Sequence, residues 1–177
     1  MTTMETLFSR RSIRTYTGES ISREELGQIL KAAYAAPVGM GEYGGLRLTV
    51  VTNPELLGKI DRAAAELFGQ PDIHPLYGAP TLVVISTKVP NEGSGNLPYS
   101  NAAIIAENMA LAATELGVGV CHIWGAMMAV RANPALTAEL KLPEGHVPCC
   151  SVVLGRTDES YALREIPEGR IDTAFLE

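Results

Sequence analysis

The sequence predicts an α+β fold: a sheet of about four or five strands flanked by helices. Helical and strand periods alternate along the chain, with breakers between them. Each strand candidate is a short apolar run bounded by Gly, Pro, Asn or Asp. The 177 residues, 46% apolar and 19% charged, suffice for one domain with a full core, and contain no internal repeat, linker or low-complexity tract.

Thr3 to Phe8 reads as a short helix. Ser22 and Glu25 make a capping box that opens a second helix, in which Leu26, Ile29, Leu30 and Ala33 recur at helical spacing. Pro37 stops it, and PVGMGEYGG (37–45) is a glycine-rich loop. LRLTVVT (46–52) is a strand. Asn53 is an N-cap with Pro54 at the first helical position, and Leu57, Ile60, Ala64 and Leu67 give that helix its apolar face. Residues 69–80 are a loop rich in breakers.

TLVVIST (81–87) is a nearly continuous apolar run, as a central strand requires. VPNEGSGNLP (89–98) reads as a flexible surface loop. Residues 100–116 form a helix that is apolar nearly all round and so should be buried. A strand at 117–125, a short helix at 134–140 and a strand at 148–155 follow. The last twenty or so residues show no period and read as an extended arm.

A net charge of −6 argues against nucleic acid or an anionic membrane as main partner, since either needs a broad basic face. No stretch reaches the ~20 apolar residues of a membrane-spanning helix. The opening MTTMETLFSRR lacks a signal peptide's basic start and apolar run, and Cys121, Cys149 and Cys150 have no metal-ligand spacing. These features predict a cytoplasmic protein with reduced thiols and no structural metal.

One stretch runs against the acidic background: SRRSIRTY (9–16) places Arg10, Arg11 and Arg14 around Ser12. Cations near a helix end offset its partial negative charge by a few tenths of a kcal/mol, and that is the simplest reading. The sharper one is a phosphate cradle, because guanidinium forks pair bidentately with phosphate oxygens and a serine hydroxyl adds a compact donor. The chain has no G-x-x-x-x-G-K-[ST] loop, and Gly117-Val118-Gly119 lacks the rest of a dinucleotide-binding fingerprint.

With this segment the sequence resembles the nitroreductase family of FMN-dependent oxidoreductases. The pieces ILKAAYAAPVG, LRLTVVTNPELL, YGAPTLVVIST, YSNAAIIAENMALAATELGVGVCHIWG and LPEGHVPCCSVVLGRTD follow in the family's order and extend the resemblance over nearly the whole chain. It implies a nitroreductase-like sandwich with a central mixed sheet, and a homodimer with two FMN sites at the subunit interface. By the same resemblance Arg10, Arg11 and Ser12 hold the phosphate and ribityl chain, and Arg14 lies at the pyrimidine edge of the flavin. Pro37, Val38 and Gly39 come from the partner chain and line the ring. Ile123, Trp124 and Gly125 pass near N5 with main-chain groups, and Arg164 or Arg170 returns to the phosphate.

The implied activity is ping-pong hydride transfer from NAD(P)H through FMN N5 to an acceptor such as a nitroaromatic or quinone. Other flavin reactions (azoline dehydrogenation, dehalogenation, flavin breakdown) and a non-enzymatic flavin carrier remain open alternatives. Val38 and GEYGGL stand where many relatives have Ser and Asn-x-Gln-Pro-Trp, so the polar contact from that loop to the flavin edge, and the substrate preference, do not carry over from the resemblance. Trp124 reads first as a core or interface residue, and His74 as a surface histidine. Glu107 and Asn108 are candidates for bonds across a dimer, and Met40, Met127 and Met128 for apolar filling.

Overall fold

The computed structural model describes residues 1–88 and 95–176. Residues 89–94 of the expected surface loop lie outside the described residues. Helix α1 covers Thr3–Ser9 and α2 Arg23–Tyr34, and two 3₁₀ turns, Gly39–Gly41 and Tyr43–Gly45, shape the glycine-rich loop. Strand β1 (Leu46–Val51), α3 (Pro54–Leu67), β2 (Thr81–Lys88) and α4 (Leu97–Glu115) follow. Strand β3 (Gly119–Ile123), α5 (Gly125–Ala132), α6 (Pro134–Glu139) and β4 (His146–Gly155) complete the order.

The helix starts form as their caps dictate. Ser22 Oγ accepts the Glu25 N–H at 3.2 Å and the Glu25 carboxylate accepts the Ser22 N–H at 2.8 Å, so the capping box is closed. Asn53 Oδ1 accepts the Leu56 N–H at 3.0 Å ahead of Pro54. Two boundaries differ from the sequence reading. The strand expected to run to residue 125 ends at Ile123, because Trp124 turns to helical dihedrals (φ −99, ψ −42) and starts α5, which periodicity did not reveal. Helix α4 starts at Leu97, a turn earlier than expected, with Pro98 in its first turn, where proline is tolerated.

The sheet order is β1-β2-β4-β3. The expected mixed sheet is corrected to one whose three pairings are all antiparallel. Helix α3 and the loop after it go out and back, so β2 starts beside the end of β1, with Val51 opposite Leu82. Strands β2 and β3 do run the same way, but β4 separates them. Side chains alternate across the sheet and feed two apolar layers. Leu82, Val84 and Val153 pack against α3, α5 and α6, while Val83, Ile85, Val152 and Leu154 pack against α2 and α4. Between Ile85 and Ser86 the register shifts past Cys149, next to Pro148, which has no N–H to donate to the ladder.

The expectation that α4 is buried all round needs correction. Ala102, Ile105, Ala106, Met109, Ala110 and Ala113 are buried, but Ile104 is 40% exposed and Ala103 and Glu115 are open. One sheet and α2 cannot enclose a helix on every side, so an apolar face of α4 is left uncovered within this chain.

Where β4 ends, Gly155 meets Pro80 and Tyr16: a Cβ there would lie 2.6 Å from Pro80 Cδ and 3.0 Å from Tyr16 Cδ1. Gly155→Ala should therefore destabilise the fold by about 1–3 kcal/mol in urea unfolding. Gly44→Ala, where nothing lies within 4 Å, should stay near wild type. Equal midpoints for the two variants would show that this junction is not tightly packed.

Candidate functional site

Strand β3 is an edge strand, so one side of its backbone needs partners from outside the sheet. The arginine segment supplies one. Ile13 is completely buried, and its N–H donates to Val120 O at 2.9 Å. The C-terminal arm supplies the other: the Tyr161 hydroxyl donates to Val118 O at 2.8 Å and accepts the Val120 N–H at 3.2 Å. Burial pushes that phenol up to about 12, so it keeps its proton at neutral pH. Ile13 thus anchors Arg10 to Arg14 along the edge, with Ser12 half-buried and Arg14 exposed.

Arg10 is the C-cap of α1, whose last turn holds no basic residue, so the three arginines follow the helix rather than lie in it. Arg10 Nε lies 3.2 Å from Glu107 Oε1 on α4, and an Arg11 terminal nitrogen donates to Glu159 Oε2 at 3.1 Å. Arg11 Nε is buried and has no hydrogen-bond partner among the described residues. An unpaired guanidinium N–H is costly to bury, and a phosphate oxygen is the kind of acceptor that satisfies it. The segment therefore fits an anionic group.

Arg14 carries the third charge, with its guanidinium carbon 5.9 Å from the Tyr77 ring centroid. Tyr77 adopts φ +56 and Gly78 φ +72, so two consecutive left-handed residues turn the ring there. For a tyrosine that backbone is costly, and such strain clusters at working sites. Arg14, Tyr77, Phe68, His74 and Leu57 share a cleft of about 1170 Å³ between α3 and the loop before β2. His74 is exposed as expected, with Nδ1 2.8 Å from Asp61 Oδ2.

At the end of β3, Gly125 lies against Phe68, where a Cβ would collide with the ring. Among the described residues no side chain caps the first turn of α5, where the Trp124 and Gly125 main-chain N–H groups lie, while Ile123 is paired with Ser151 in the sheet. Trp124 is 60% exposed, so of the core-or-interface reading the core half is corrected: it is not a core residue of this chain. Of the two C-terminal arginines, Arg164 reaches α1 just ahead of the segment: its Nε donates to Phe8 O at 3.0 Å. Arg170 is exposed, with no ion pair among the described residues.

Pro37, Val38 and Gly39 are not brought to the arginines within one chain. The Gly39 N–H donates to Asn101 Oδ1 at 3.1 Å, and Leu97 packs on Gly39. Asn101 stands about 9 Å along α4 from Glu107, at ~1.5 Å per residue. Within one chain Glu107 and Asn108 already have partners: Asn108 Nδ2 donates to Ala32 O at 3.1 Å, and Glu107 pairs with Arg10 and with His122. Burial raises the Cys121, Cys149 and Cys150 thiols, Cys150 to about 12, so all three stay protonated at neutral pH. Sequence reasoning missed Glu159 and Tyr161, whose partners lie 148 and 43 residues away.

The fold is one antiparallel sheet between two layers of helices, with a cationic segment along the edge of that sheet. Residues 7–156 match the family model described as the nitroreductase family, and the chain belongs to that family. It is similar to a solved nitroreductase with bound FMN from Desulfitobacterium hafniense, with 26% identity, a TM-score of 0.83 and coverage of 99% of this chain and 98% of that one. A nitroreductase with bound FMN from Bacteroides fragilis matches at 29% identity and TM-score 0.81, each chain covered in full at 100%. An FMN reductase using NAD(P)H from Bacillus subtilis is 30% identical over 96% of this chain and 72% of its own.

Tyr161→Phe should remove both bonds from the arm to β3. The expected cost is about 1–3 kcal/mol of stability, because Val118 O and Val120 N–H lose a partner. Hydrogen exchange followed by mass spectrometry should show faster exchange in the peptides holding Val120 and Ile13. Unchanged exchange there would show that the arm does not hold this edge.

Proposed function

We propose that this chain is a cytoplasmic FMN-dependent NAD(P)H oxidoreductase that acts as a homodimer. It passes a hydride from NAD(P)H to an acceptor such as a nitroaromatic or quinone, in two half-reactions that share one site. The observation that carries this reading is the arginine segment on the β3 edge, with Arg11 Nε buried and without a partner among the described residues, in a chain of the nitroreductase family. The whole chain, residues 1–177, serves as one FMN-binding domain. No helix of the described residues is long and apolar enough to cross a membrane.

Bound FMN supplies reversible two-electron chemistry, exchanging hydride at N5. Everything else falls to the chain. Arg10, Arg11 and Ser12 bind the phosphate and ribityl group, with Arg164 next to them at Phe8. Arg14 sets a fixed positive charge at the pyrimidine edge, which favours the electron-rich form there. Main-chain groups of Ile123, Trp124 and Gly125 orient the ring edge near the reacting atom. Arg170 is the weaker candidate for the phosphate, because it is exposed and makes no ion pair among the described residues.

The second copy's Pro37, Val38 and Gly39 line the ring, since those of the same chain sit farther along α4. The uncovered side of α4 with Ile104, the exposed Met4 and Phe8 of α1, and Phe175 (85% exposed) in the arm supply apolar surface for that second copy. Light scattering at micromolar concentration should give a dimer, and Ile104→Glu should shift it towards monomer. A wild-type monomer would remove the partner-supplied half of this site.

Arg10→Ala should weaken FMN by roughly 10- to 100-fold, since charge-assisted bonds contribute ~1.5–3 kcal/mol. Arg14→Ala should instead lower the flavin midpoint potential by about 30 mV, which for two electrons equals about 1.4 kcal/mol. Arg14→Lys should keep most of that potential, because the charge survives. Fluorescence quenching and dye equilibration measure the two quantities. If both stay at wild-type values in both alanine variants, the segment does not hold the cofactor.

A further inference from the structure

One carboxylate joins three elements beside the arginine segment. Glu107 Oε1 is 3.2 Å from Arg10 Nε at the end of α1, and its Oε2 is 3.3 Å from His122 Nε2 on β3. All three side chains are partly exposed. The groups facing His122 are Glu107 from α4 and Arg10 from the segment after α1, with Cys121 beside it on its own strand. On β4 its cross-strand neighbour is the uncharged Val152.

Burial is the main influence on His122 and pushes it below the usual imidazole range; Glu107 pulls it up and Arg10 pushes it down. At neutral pH the imidazole is therefore uncharged, and the Arg10 and Glu107 charges offset each other. A phosphate dianion next to Arg10 disturbs that balance. It engages the guanidinium, leaves more of the Glu107 charge to His122, and itself favours a nearby cation. Each effect favours the imidazolium.

We infer that Glu107 and His122 are positioning residues for the cofactor phosphate: Glu107 holds the Arg10 guanidinium in place, and His122, through Glu107, takes up a proton as the phosphate arrives. This inference rests on the reading that the phosphate sits at Arg10. Linkage fixes the sign. If binding raises the His122 pKa, protonating His122 must tighten binding by the same factor. The gain is present at low pH and lost as pH rises through the bound-state value. The phosphate's own second ionisation near pH ~6 works the other way, but it is common to wild type and variants.

The test compares wild type, His122→Gln and Glu107→Gln, each titrated with FMN and with riboflavin, which has no phosphate, from pH ~5.5 to ~8.5. The ratio of wild-type to His122→Gln affinity for FMN cancels the phosphate's titration. It should rise towards acid by up to about tenfold, the equivalent of one pKa unit. The riboflavin ratio should stay flat, which also shows that the variants fold. Glu107→Gln removes the charge that raises His122 and leaves only the Ala106 main-chain bond to do so, so the rise should shrink or move to lower pH. Imidazole NMR, with the His122 signal assigned by its loss in His122→Gln, should show a pKa raised by FMN and unmoved by riboflavin. A flat FMN ratio, or an NMR pKa that FMN leaves unchanged, overturns the inference while FMN binding stands. Failure of the wild-type chain to bind FMN at any pH overturns both readings.

Discussion

The structure depends on the anchoring of Ile13 at the free edge of β3. Its side chain is completely buried and its N–H bonds to Val120 O at 2.9 Å. That pairing covers part of the open strand edge and fixes the register of the five residues around it. Arg10, Ser12 and Arg14 are then displayed by a backbone that cannot slide without exposing an isoleucine. Tyr161, from the other end of the chain, bonds to Val118 O and the Val120 N–H on the same edge. Both contacts bear on a sheet whose faces are packed by two separate apolar layers, so the edge is carried by a rigid support.

Charge placement follows from that anchor. An acidic chain gathers three arginines here and then partly neutralises two of them, Arg10 with Glu107 and Arg11 with Glu159. These pairs are half-exposed, so each contributes little to stability, where the median for such pairs is about 0–1 kcal/mol. Their consequence is geometric: the long side chains are held near one arrangement before any anion arrives, and less conformational freedom is lost on binding. Arg14 has no carboxylate within 4 Å among the described residues and rests against Tyr77 instead. Its charge is the least offset of the three, as suits a residue proposed to act on the electronics of a ring rather than to grip a phosphate.

Much of this was legible in the sequence, for local reasons. Ser22 with Glu25, and Asn53 with Pro54, carry their cap chemistry within one turn, and both helices start where those residues require. TLVVIST reads as a central strand because both faces of the sheet are covered, and β2 lies between β1 and β4. Helix α5 escaped notice because GAMMAVRA follows a strand without a polar cap, and its start depends on the turn at Trp124. The antiparallel pairing also stayed hidden, since the path of a connection is a tertiary property. In the site, the residue types pointed to Arg10, Arg11, Ser12 and Arg14. The partners Glu107, Glu159 and Tyr161 are brought in by the fold, and the left-handed turn at Tyr77 has no signal in residue type.

The central claim is that the β3 edge holds a phosphate. The most direct measurement is a crystal structure of the protein soaked with FMN. The account predicts a phosphate oxygen about 2.7–3.2 Å from Arg11 Nε, the nitrogen buried without a partner among the described residues, with Arg10 and Ser12 on the same group. FMN bound instead in the cleft lined by Leu57 and Ile73, with Arg11 Nε still unpaired, would contradict it.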